Sequence, residues 1–200
     1  MPAIELRGNS DLRKALRRFA PDLDKELKIE LRKALSPVVK KARGYVEVES
    51  PMRGWAARSM SESTFGFYQA DIIRKNIGFS TGVTKPNSNG FTAMARIYNR
   101  SKAGAIYEIA GTKNPQGQPW VGPKGPAGSR YSHSVNPKAG EQFINNLPPL
   151  VSSLKGRGRL IFRAWAESKG VAEGAAMKAI DKATTLFMAR SKTTRFRSAA

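Results

Sequence analysis

The chain carries one histidine, fifteen carboxylates and no cysteine, and that inventory limits its chemistry. His133 lies in a Ser/Gly/Pro-rich stretch with no Asp or Glu motif beside it. One imidazole cannot assemble a metal cluster, and no Gly-x-Ser-x-Gly elbow supplies a nucleophile for it to activate. His133 therefore reads as an exposed loop histidine. Eight of the acids fall within the first fifty residues, where they pair with Lys and Arg along helix faces. The later ones, Glu62, Asp71, Glu108, Glu141, Glu167, Glu173 and Asp181, stand singly. Glu108 sits inside a short apolar helical stretch. A general base there is one reading; the expected role is an ion pair or a helix cap. No Walker loop and no dinucleotide glycine pattern occurs. The absence of cysteine removes thiolate nucleophiles, disulfides and thiolate metal sites. The chain is not read as an enzyme, and no catalytic residue, metal or cofactor is expected.

Cations carry the stronger signal. Lys and Arg number 35 against 15 acids, a formal charge of +20. The excess is largest in the last fifty residues, with eleven Lys and Arg against three acids. A field of this sign attracts nucleic acid, acidic protein surfaces or anionic lipid. Arg190, Lys192, Arg195 and Arg197 cluster at the end with Phe196 among them, and Arg157 and Arg159 form the basic glycine turn "GRGR". These six cations are the candidate contacts for DNA or an acidic partner, since each phosphate neutralised adds salt-dependent affinity. No DNA-reading or RNA-recognition motif accompanies them.

The elements around these residues follow from periodicity. "NSDLRKALRRFA" predicts a helix with Asn9 or Ser10 as cap and Leu12, Ala15, Leu16 and Phe19 on one side. Leu23, Leu27, Leu31, Ala34, Leu35 and Val38 predict a longer amphipathic helix over 22–43, which Pro37 should kink or split near Ser36. Residues 2–7 read as a strand or extended arm, and 50–69 as a loop with a turn or strand at Trp55. "DIIRKNIGFST" and "GFTAMARIYN" predict two strands joined by the turn-rich connector 82–90. A short helix is expected over 102–110. Residues 111–155 read as a long Gly/Pro-rich loop, a length that is uncommon unless functional or ordered by a partner. "LIFRAWAES" predicts a short element, and a separate alanine-rich helix is expected from Gly170 to Ser191, leaving 192–200 as a mobile basic tail. The fold class is α+β in one domain: an N-terminal helical region over 1–44, hairpin and short helix over 45–110, the loop, and C-terminal helices over 156–191. The long N-terminal helix and the C-terminal helix are expected to pack on a small antiparallel sheet. No apolar run approaches the roughly 18 residues of a membrane helix, and the acids in "MPAIELRGNSD" argue against export.

The order of these segments resembles a known group. "LRKALSPVVKKAR" precedes the hairpin; "NRSKAGAIYEIAGTKNPQGQPW", "GRLIFRAW" and the alanine-rich helix follow it. This resembles the tail-completion, or neck, proteins of long-tailed double-stranded DNA phages, the minor tail protein Z-like group. The matching residues are Ala103, Tyr107, Glu108, Gly111 and Thr112; Ala110 is inserted before the glycine, and the loop to Trp120 is longer. The resemblance implies a non-enzymatic α+β virion protein, assembled in the host cytoplasm. Its copies would form a ring, usually sixfold, at the head–tail junction around the DNA channel. Its partners would be further copies of itself, the tail terminator, the tail tube and the head-completion or connector proteins, with no membrane. A tail terminator, or a basic nucleic-acid-binding protein without sequence specificity, is the alternative. Ile106, Tyr107, Trp120 and Tyr131 are the candidate subunit or partner contacts, because aromatic side chains anchor interfaces.

Overall fold

The structure is a computed structural model that describes residues 9–52, 55, 67–82, 84–89, 92–126, 128, 130–153 and 156–197. The predicted arm at 2–7, the end of the tail and most of the segment after Trp55 lie outside the described residues. Those described form six helices and two small antiparallel sheets of two strands each, so the class is mixed helix and sheet. In chain order they are α1 (Asn9–Phe19), α2 (Pro21–Gly44), α3 (Ala70–Asn76), β1 (Ile77–Ser80) and β2 (Arg96–Asn99), then α4 (Lys102–Ile109), α5 (Ala139–Asn145), β3 (Val151–Ser153), β4 (Gly156–Gly158) and α6 (Ile161–Arg197). β1 pairs with β2, and β3 with β4 in the register Val151 to Gly158. Contacts divide the chain into two compact units, both discontinuous: 1–41 with 78–98 and 167–200, and 42–77 with 99–166.

The first unit is built on the leucine ladder. Leu23, Leu27 and Leu31 recur every four residues, which puts them on one face of α2. With Leu16 and Ala20 they bury against Met94 and the alanines Ala176, Ala179 and Ala183 of α6. Alanine lets the α6 backbone come close, so this core is helix on helix rather than helix on sheet. The corner between α1 and α2 is made at Ala20, whose carbonyl accepts from the Leu23 and Asp24 amides at 3.0 and 3.3 Å. Pro21 suits the first helical position because its missing N–H would have found no partner there. Beside the corner lies a buried ion pair. Arg13 Nε meets Asp24 Oδ1 at 3.1 Å, and Lys28 Nζ meets Oδ2 at 2.6 Å. Arg13 also donates to the Thr81 carbonyl. Phe19, expected on the apolar stripe, is exposed with the Arg18 guanidinium over its ring.

The second unit centres on aromatic rings. Trp55 packs against Tyr68 and Phe143, each with ring centres 5.2 Å away, and Tyr68 against Tyr107 at 5.9 Å. Ile73, Ile77, Leu147, Leu160 and Trp165 are buried in the same unit.

Four sequence expectations change. "DIIRKNIGFST" is helix α3 followed by strand β1: within α3 Ile73 is buried while Ile72 is exposed, and Ile77 opens the strand in extended backbone. α2 runs unbroken through Pro37. The expected break at Gly170 is absent: α6 is one helix of 37 residues, and it carries the supposed tail as far as Arg197. Residues 111–155, read as loop throughout, contain α5 and β3.

Candidate functional site

The segment 101–112 is built with few wasted atoms. Ser101 caps α4: its hydroxyl accepts from the Gly104 amide at 3.0 Å, satisfying one of the amides that a helix N-terminus leaves unpaired. The Asn99 side chain in turn accepts from the Ser101 amide at 2.9 Å. At the other end Ala110 donates to the Ile106 carbonyl at 2.8 Å. Gly111 then takes φ +83°, the left-handed conformation glycine adopts without strain, with Ile144 against it.

Glu108 is the centre of this segment. Its Oε2 accepts from the Leu160 and Ile161 amides at 2.6 and 3.1 Å, and its Oε1 accepts from the Phe162 amide at 2.9 Å. These amides open α6, which otherwise offers unpaired donors and the positive end of a helix dipole. A side chain some fifty residues away in sequence thus caps the longest helix of the chain. Gly158 makes room for it: a Cβ there would fall 2.3 Å from Oε1.

Arg159 completes the arrangement from the opposite side. Its guanidinium donates to the carbonyls of Tyr107 at 3.1 Å, of Ala110 at 2.7 Å, and of Pro148. Two of these are the free carbonyls at the C-terminal end of α4, where a cation meets the negative end of the dipole. The Arg159 amide also donates to the Glu108 carbonyl at 3.2 Å. α4 therefore caps the start of α6 while the residue two before α6 caps the end of α4. Burial is the largest influence on the Glu108 carboxyl and raises its pKa, against the pull of the Phe162, Leu160 and Ile161 amides and the Arg159 charge. A raised carboxyl pKa is also the mark of a general acid or base. Here both oxygens are already occupied by amides, so the group serves as a cap, as the sequence reading expected.

The predicted contact residues divide. Arg159 is buried and spent on carbonyls, so it is withdrawn as a DNA or partner contact. Tyr107 is withdrawn from the interface for the same reason: it is 1% exposed and faces the aromatic core. Burial pushes its phenol well above the ordinary tyrosine range. Ile106 and Tyr131 are half-buried, and Trp120 is 46% exposed. Arg157 is exposed on β4, and Arg190 is exposed and paired with Asp22 at 2.6 Å. Lys192, Arg195 and Arg197 belong to the final turns of α6. His133 is exposed, its Nδ1 3.1 Å from the Gly122 carbonyl. Sequence reasoning missed Ser101, Gly158 and Leu160. A serine three residues before Gly104 was a readable cap signal, whereas nothing local marks Gly158 as the seat of a distant carboxylate.

Between α4 and α5 the chain holds itself in place. Ser132 donates to the Pro119 carbonyl at 2.8 Å, and Val121 donates to the Ser132 carbonyl at 3.0 Å. The Trp120 indole N–H donates to the Ser134 carbonyl at 2.8 Å. Gly117 abuts Gly140 closely enough that a Cβ on Gly117 would lie 2.5 Å from its backbone. The arms 117–122 and 131–140 thus lie side by side, with the indole ring on the outside. No family model, curated protein or solved structure matches this chain.

Proposed function

We propose that this chain is a structural virion protein of a long-tailed phage, completing the tail at the head–tail junction as part of a ring around the DNA channel. The supporting observation is the use made of Tyr107, Glu108, Gly111 and their neighbours. Among the residues that carry the resemblance to neck proteins, Tyr107 is a buried aromatic, Glu108 caps α6 and Gly111 turns the chain. The chain beyond them bonds to itself through 119–121 and 132 and leaves Trp120 46% exposed. An exposed aromatic held by such bonds suits docking into neighbouring subunits. The charge of +20 suits a channel wall or an acidic neighbour, and the same charge supports the alternative of a basic nucleic-acid-binding protein. Disrupting the gene in its source separates the readings. The proposal expects filled heads and full-length tails that fail to join, visible by electron microscopy; joined, infectious particles from the disrupted strain contradict it.

A further inference from the structure

No acidic residue stands between Glu108 and Glu141, while Lys113, Lys124, Arg130 and Lys138 all do, and all four are exposed. Within the same stretch Trp120 is 46% exposed, whereas Trp55 and Trp165 are buried at 0% and 4%. The polar edge of the Trp120 indole is already committed to Ser134 and Gly122 lies against its six-membered ring, so what it offers a partner is the remaining apolar part of the ring. Arg130 lies over the Tyr131 ring, 4.9 Å from its centre, and adds a second cation–aromatic surface nearby in the chain.

We propose that the 113–138 segment is a binding surface for single-stranded nucleic acid, with Trp120 as the base-stacking platform and Lys113, Lys124, Arg130 and Lys138 as phosphate contacts. The hydrogen bonds through 119–121 and 132 fix the backbone on which the Trp120 ring stands, so little ordering cost falls on that ring when it binds. Aromatic faces accept any base, which makes such a surface tolerant of sequence. A duplex supplies phosphates but keeps its base faces stacked, so it leaves Trp120 without a partner. The surface differs from the C-terminal cations and does not depend on the virion reading.

The test uses the full chain and reads binding from the fluorescence anisotropy of dye-labelled probes, a signal that survives substitution of Trp120. Oligothymidylate of thirty nucleotides, a duplex of equal length and polyglutamate are titrated at matched salt. The expected result is a rise in anisotropy with oligothymidylate, about tenfold or more weaker binding in Trp120→Ala, and recovery in Trp120→Phe, which keeps a stacking ring. Lys113→Glu with Lys124→Glu should lower the salt dependence as well as the affinity. Circular dichroism matching the unsubstituted protein confirms that the variants are folded. The assignment is overturned if Trp120→Ala binds oligothymidylate as tightly as the unsubstituted chain. It is equally overturned if duplex or polyglutamate binds as well as the single strand.

Discussion

Glu108 sits where a removed carboxylate would leave three amides without partners in a buried place. Replacing it by alanine should cost about 3 kcal/mol of unfolding free energy, since charged hydrogen bonds are lost and their donors stay desolvated. Glu108→Gln keeps the shape and one acceptor oxygen, so its loss should be smaller. Urea unfolding of both variants measures this, and an alanine variant as stable as the parent would remove the cap from the account. Asp24 supports a second prediction, with a pH sign. Burial alone would raise its pKa, but the Lys28 hydrogen bond and the Arg13 charge outweigh burial and hold it below the ordinary 3.8. A lowered folded-state pKa stabilises above the unfolded value, and that contribution disappears as pH falls through the folded one. Asp24→Asn should therefore cost about 3 kcal/mol at pH 7, partly because Arg13 is left buried without its counter-charge. The gap to the parent should close below about pH 4, as read from denaturation midpoints across pH. Of these residues, Glu108 was legible as a cap or ion-pair partner because an acid in an apolar helix needs a donor. Arg159 was not: an arginine in a glycine turn looks solvated until the carbonyls around it are known.

Elements with a strong period were read well, and those defined by tertiary contact were not. The leucine ladder of α2 and the short α4 stand where their spacing placed them, and the strands on either side of the 82–90 connector do pair. α6 was cut at Gly170 because glycine weakens an isolated helix. In the fold, Trp165 on one side of that glycine and Ala172 and Ala176 on the other are all buried, so packing carries the helix across. The glycines themselves gain nothing by being small: nothing lies within 4 Å of where a Cβ would sit on Gly170 or Gly174. Gly170→Ala and Gly174→Ala should each stabilise by about 0.5–1 kcal/mol, raising the melting temperature by roughly 1–4 °C apiece. A drop in melting temperature would show that these positions carry a constraint beyond helix continuity.

At the scale of the whole molecule, charge and architecture point the same way. No helix among the described residues is long and apolar enough to cross a membrane, and the cations far outnumber the acids. Among the described residues, the buried charged ones, Arg13, Asp24, Glu108 and Arg159, are spent on holding elements together. Among the described residues, many Lys and Arg side chains and the self-bonded segment bearing Trp120 are left outward. Part of this was readable beforehand, since composition set the charge and the segment order set the resemblance. The mutual capping of α4 and α6 was not, because it joins residues some fifty positions apart. The central claim is that this chain is a piece of a virion. Peptide mass spectrometry on density-purified particles from the source, counting this chain against the portal subunit, tests it most directly. The account predicts a fixed, ring-sized number of copies in every intact particle; absence of the chain from intact, infectious particles would contradict it.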